Sequence, residues 1–160
     1  MRLFEEDLGM KHLKAAMAAL VISMAPVMAP GHAAAQAMTD AESTQLTAFS
    51  LDSDLLGRLI GATGDFRAAK IGLLDGLDFA QTTSLAQLVT HVEGNPAAVA
   101  ILQKHGLSAH DYFFGMLAIA DARAAAAPQA TPEEIGYSNP GNIAFYKAHL
   151  GEIESFLAAQ

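Results

Sequence analysis

The chain of 160 residues has no cysteine and no tryptophan, and it carries 9 lysines and arginines against 17 aspartates and glutamates. Without cysteine it has no thiol nucleophile, disulfide, thiolate metal site, c-type haem attachment or lipidated N-terminal cysteine. The formal charge of −8 argues against a nucleic-acid partner, because phosphate binding needs clustered Lys and Arg. It argues equally against docking on an anionic membrane surface. Charged residues make up 16% and apolar residues 52% of the chain, a balance too hydrophobic for a disordered segment. The length suits one domain of ordinary size. The signatures G-x-S-x-G, H-E-x-x-H, G-x-x-x-x-G-K and G-x-G-x-x-G are all missing, which removes the commonest sequence pointers to hydrolase, zinc-peptidase, nucleotide and dinucleotide chemistry.

What is present begins with an address. Met10-Lys11-His12-Leu13-Lys14 is a short basic start, an apolar run extends from Ala15 to Val27, and small residues follow in Ala33-Ala34-Ala35-Gln36-Ala37. That order is the pattern of a secretory signal peptide, with cleavage after Ala35 or, preferably, Ala37. A membrane anchor fits less well, because Pro26, Pro30, Gly31 and His32 interrupt a stretch that would need about 20 continuous apolar residues. Glu5, Glu6 and Asp7 sit where such a leader should be basic, which fits either a translational start at Met10 or an unusually long n-region from Met1. Residues 1–37 are thus expected to be a signal peptide and residues 38–160 a single helical domain without a stable membrane span. The latter keeps 14 acidic and 6 basic side chains. A domain of that size buries roughly two-thirds of its unfolded surface, enough for a core without staples.

The remainder reads as all-α, an irregular bundle of about five helices. Residues 38–50 show little period, and Thr47 to Leu51 is the only stretch that reads as extended. From Asp52 the residues Leu55, Leu59, Ala62, Phe66, Ala69 and Leu73 recur at helical spacing. Gly57, Gly61 and Gly64 weaken this helix and predict a bend or break near Gly61–Gly64, with Gly72 and Gly76 marking its end. Asp54 and Arg58 are one turn apart and can pair. Ser84 caps a short helix carrying Leu85, Leu88, Val89 and Val92, which Gly94 ends. Asn95-Pro96 opens the next, with Val99 and Leu102 on its face and Gly106 past its end. Ser108 and Asp111 form a carboxylate version of the capping box. The helix they start, Ala109 to about Ala127, is apolar around most of its circumference and is expected to be central. Thr131–Glu134 reads as a capped single turn. A last helix from Asn139-Pro140 or Asn142 carries Ile143, Tyr146, Leu150, Ile153 and Leu157 at steps of 3 and 4, a heptad-like seam.

Candidate chemistry is sparse. Asp52-Ser53-Asp54 starts like a calcium loop but lacks the remaining oxygen donors, so capping explains it better. Gly57, Gly61 and Gly64 follow no strand and precede no suitably placed lysine, so they are not a phosphate loop. Four histidines remain beyond the leader: His91, His105, His110 and His149. His149 and Glu152, at i and i+3, share a helix face, and with His91 or His110 they are the candidate metal ligands, short of the usual three or four. No cofactor is expected. His105 lies in a last turn, where partial positive charge suits the helix dipole. Asp121 interrupts an apolar helix: residues 121–123 read first as its solvent-facing stripe, and otherwise Asp121 is the candidate functional buried acid. Arg123 points elsewhere, so Arg58, Arg67 and Lys70 are its possible partners. Phe113-Phe114 and Phe145-Tyr146 are adjacent aromatics that at helical spacing read as core; since adjacent side chains cannot both face one side, the alternative is that one of each pair is exposed as a partner-binding patch.

His105-Gly106-Leu107-Ser108 leading into Tyr112-Phe113, together with Asn139-Pro140-Gly141-Asn142-Ile143-Ala144-Phe145 through His149, resembles small exported bacterial proteins of unknown function. The resemblance implies a helical periplasmic domain and carries no catalytic or binding residues. The functional expectation is a periplasmic or secreted, non-catalytic module that binds a protein partner or a small apolar ligand. A metal- or cofactor-binding protein using His149 and Glu152 is the second reading, and a hydrolase built on Asp121 with a histidine the third.

Overall fold

Thr39 begins the folded chain as a cap. Its side chain accepts from the Glu42 N–H, and the Glu42 carboxylate reaches back to the Thr39 N–H at 2.7 Å. This capping box satisfies two otherwise unpaired donors and starts α1, Asp40–Ala48. The structure is a computed structural model describing residues 39–77, 84–130 and 138–159. The leader and the Thr131–Glu134 turn lie outside the described residues. Among those residues there are seven helices and no strand. After α1 come α2 (Ser53–Ala68), α3 (Leu85–Glu93), α4 (Pro96–Lys104), α5 (Ala109–Ala126), α6 (Pro140–Ala148) and α7 (Leu150–Ala158). No helix among them is long and apolar enough to cross a membrane.

The caps explain most of the boundaries. Asp52 accepts from the Leu55 N–H at 2.7 Å to open α2. Ser84 with Gln87, and Ser108 with Asp111, close reciprocal boxes on α3 and α5. Asn95 and Asn139 each cap a helix whose first residue is proline, where the missing N–H is no loss. At the end of α4, Gly106 takes φ +65°. Its N–H reaches the Gln103 carbonyl while the Leu107 N–H reaches that of Leu102, the paired bonds of a Schellman stop. Leu107 is buried beneath it. The same pair of bonds ends α2 through Lys70 and Ile71, with Lys70 at φ 56° the only non-glycine at positive φ among the described residues. That helix therefore stops before Gly72 and Gly76, which fall in the following turns.

α5 is central. Every residue from Tyr112 to Ile119 is buried, and α1, α2, α3, α4 and α6 all pack against it. Phe113 and Phe114 are consequently both inside, the core placement, and neither forms an exposed patch. Adjacent side chains on a helix diverge by about 100°, but here neighbours wait on both sides. Phe114 meets Phe49 at 5.9 Å, and Tyr112 meets Phe66 edge-on at 5.7 Å. The Tyr112 hydroxyl, deep in the core, bonds to the Thr63 hydroxyl at 2.9 Å.

α2 runs unbroken through Gly57, Gly61 and Gly64, so no break falls there. Leu55, Leu56, Leu59, Ala62, Thr63 and Phe66 bury one continuous face, and tertiary packing outweighs weak propensity. The glycines differ in role. A β-carbon at Gly61 would meet the His105 ring at 2.6 Å, whereas Gly57 and Gly64 look onto open space. Replacing Gly57 and Gly64 by alanine is therefore expected to stabilise the fold by about 0.5–1 kcal/mol each, read as a higher urea midpoint at unchanged slope. Gly61→Ala should lower that midpoint.

Two further expectations are corrected. Thr47 and Ala48 are helical, and only the segment after them is extended. The last helix is two, α6 and α7, meeting at His149 with φ −111° and ψ 21°. Burial runs from Asn142 and Tyr146 to Ile153 and Phe156. The seam skips Leu150, which stands 48% exposed.

Candidate functional site

The side chains singled out by sequence do not converge on one point; each is engaged locally. His91 donates from Nε2 to the Asp75 carbonyl at 3.0 Å, tying α3 to the turn after α2. The His110 ring stacks on Phe114 at 4.2 Å, with Asp111 3.8 Å away. His149 stacks on Phe145 at 4.3 Å, and its Nδ1 lies 3.4 Å from Glu152 Oε2. His149 and Glu152 are thus brought side by side, with the Ser53 hydroxyl 3.5 Å from the other ring nitrogen. Among the described residues no group of three or more His, Asp or Glu side chains is placed to hold a metal ion. Phe145 remains half-buried under that ring, while Tyr146 is buried.

Asp121 is half-buried on α5. Burial raises its pKa, and a hydrogen bond with Ser138, itself buried, partly offsets the rise. None of the anticipated cations is its partner. Arg58 faces Asp54 at 3.1 Å and donates to the Gly106 carbonyl at 3.0 Å. Arg67 lies exposed in the last turn of α2, and Lys70 serves as that helix's stop. A serine hydroxyl does for Asp121 what a cation was expected to do, because the chain entering α6 runs past α5 at that level.

Two charged clusters were not anticipated. In the first, one oxygen of Asp65 receives Lys104 Nζ at 2.8 Å and His105 Nε2 at 2.7 Å. An acid near the end of α2 opposes the helix dipole, and these two donors from the end of α4 compensate it. They hold the Asp65 pKa below its ordinary value, Lys104 most strongly and His105 next. The His105 ring lies against Gly61, which leaves room for it. The sequence did carry a signal in Gly61 and Asp65, one turn apart on α2, but not the identity of the helix that would face them.

In the second cluster, Glu154 of α7 binds Arg123 of α5 through both oxygens, at 2.8 and 2.9 Å, and accepts from the Tyr146 hydroxyl of α6 at 2.7 Å. The Tyr146 hydrogen bond lowers the Glu154 pKa most, with Arg123 adding to it. Burial and the same carboxylate raise that of Tyr146. A straight helix would set residues eight apart about 12 Å along its axis. The corner at His149 lets Tyr146 and Glu154 meet, and the guanidinium then joins three helices.

Chemically, these arrangements fix helices. Asp65 and Glu154 are held as anions by their donors, and the Tyr146 hydroxyl is committed to a carboxylate. A pH prediction follows for Asp65. Its folded pKa is depressed, so its pairing adds stability above the ordinary aspartate range of about pH 4 and loses it as pH falls through the lowered value. Asp65→Asn should therefore lower the urea midpoint at pH 7, and the gap from the parent protein should close as both are taken to acid.

No protein-family model, curated protein or solved structure matches the chain.

Proposed function

We propose that the chain is exported, loses residues 1–37, and acts in the periplasm or outside the cell as a helical binding module rather than an enzyme. The observation that carries this reading is the position of the first cap. Thr39, closing its box with Glu42, comes two residues after the Ala35-Gln36-Ala37 motif. A leader that ends just before a self-capped helix is removed without cutting into hydrogen-bonded structure. Binding is favoured over turnover because the four histidines beyond the leader hold or stack on neighbouring structure.

The test is expression of the full chain in a bacterium with fractionation and intact mass. A periplasmic product beginning at Met38 is expected. Uncut protein retained in the cytoplasm would overturn the export reading. Turnover by the purified product in a broad hydrolase screen would overturn the binding reading. Metal near one equivalent per chain would favour the His149 and Glu152 alternative instead.

A further inference from the structure

We infer that the Asp75–Gly76 peptide is a site of spontaneous isomerisation promoted by His91. Asp75 and Gly76 are both exposed, in the turn between α2 and α3. Gly76 has φ +79° and open space where a β-carbon would stand, so no side chain of its own crowds the peptide that would have to fold back onto Asp75. A carbonyl oxygen can only accept, so the 3.0 Å contact requires His91 Nε2 to carry the proton and donate it to the Asp75 oxygen. That hydrogen bond draws electron density from the amide and makes the Gly76 N–H more acidic. The Asp75 carboxyl group rests against the Cα of Gly72, where a β-carbon would collide with it. Gly72 thus leaves the acid room within the turn.

The reaction needs no partner beyond water. The Gly76 nitrogen bonds to the Asp75 side-chain carbonyl carbon and gives up its proton. The carboxylic acid's hydroxyl departs with a proton as water, leaving a five-membered succinimide. Water then adds to one of the two ring carbonyls. Opening at the side-chain carbonyl restores aspartate, and opening at the main-chain carbonyl leaves an isoaspartyl link through the side chain. The ring forms readily because its reacting atoms belong to adjacent residues. Glycine at the second position adds no β-carbon to hinder the approach.

The full chain, aged at pH 7.4 and 37 °C, would be assayed by isoaspartyl methyl-transfer labelling and by fragmentation of the tryptic peptide from Ile71 to Lys104. Label is expected to accumulate at Asp75 ahead of every other aspartate. Asp75→Glu, which cannot close the five-membered ring, should reduce it by about tenfold or more. His91→Phe should slow it several-fold and His91→Gln, which retains an N–H donor, should restore part of the rate. Thermal melting of the two His91 variants would check that the turn is still folded. Label elsewhere, label that survives Asp75→Glu, or equal rates in the parent and His91→Phe would each overturn the inference.

Discussion

Asn142→Leu is expected to destabilise the protein by about 2–4 kcal/mol, although leucine has nearly the same size and suits a buried position better. Asn142 is 3% exposed near the start of α6. Its Oδ1 accepts the Leu51 N–H at 2.8 Å, and its Nδ2 donates to the Phe49 carbonyl at 2.8 Å. One side-chain amide therefore pairs with the backbone between α1 and α2 as a neighbouring strand would. Leucine leaves the Leu51 N–H buried without a partner, and that orphaned donor is the larger part of the cost. The Phe49 carbonyl still receives Asn139 Nδ2 at 3.0 Å, so the loss falls mainly on one bond. Asn142→Asp should also destabilise, because a carboxylate accepts from Leu51 but turns an acceptor toward the Phe49 oxygen. Urea unfolding at constant slope measures both. A change below about 0.5 kcal/mol for Asn142→Leu would mean that water reaches Leu51 and that α6 is not fastened there.

The same region marks where sequence stopped being sufficient. An extended stretch was legible at Phe49 to Leu51, but not its partner, because two asparagines ninety residues away are invisible to local periodicity. α1 was missed for a related reason. Among its described residues it buries only Leu46, too little for an apolar stripe, although Thr39-x-x-Glu42 announces its start through capping chemistry. The capped helices α3, α4 and α5 were readable almost to the residue, since Ser84, Asn95 and Ser108 act on donors within their own first turns. The corner at His149 was not readable, because Ile143 to Leu157 repeats as a single helix would. Its geometry goes with the link from Tyr146 through Glu154 to Arg123 on another helix. The candidate site divides in the same way. His149 and Glu152 were legible as an i,i+3 pair, and Asp54 with Arg58 as an i,i+4 pair. The Asp65 cluster and the Ser138 partner of Asp121 depend on which helices meet, which spacing along one helix does not encode.

Phe114→Ala should cost about 3–5 kcal/mol, a large share of the roughly 5–15 kcal/mol that holds a domain of this kind together. The side chain is 1% exposed in the middle of the most enclosed helix. It touches two rings, Phe49 at 5.9 Å and tilted by 43°, and the His110 ring stacked at 4.2 Å. Truncation opens a ring-sized void that its surroundings are poorly able to close. On the next residue, a β-carbon at Gly115 would already lie 2.8 Å from Leu59 Cδ1, so α5 and α2 are in contact without slack. Phe49 loses its aromatic neighbour while its carbonyl remains held by Asn139 and Asn142, which prevents the α1–α2 segment from sliding in to fill the space. His110→Ala removes the stacked ring, but that ring is exposed, so its loss should be about 0.5–1 kcal/mol. The contrast separates two accounts of the aromatic pair Phe113-Phe114. If α5 is the axis of the bundle, the buried ring dominates and the two substitutions differ several-fold in their effect on the urea midpoint. If Phe114 instead served a surface patch, both would cost about the same, and Phe114→Ala would fall below about 1 kcal/mol.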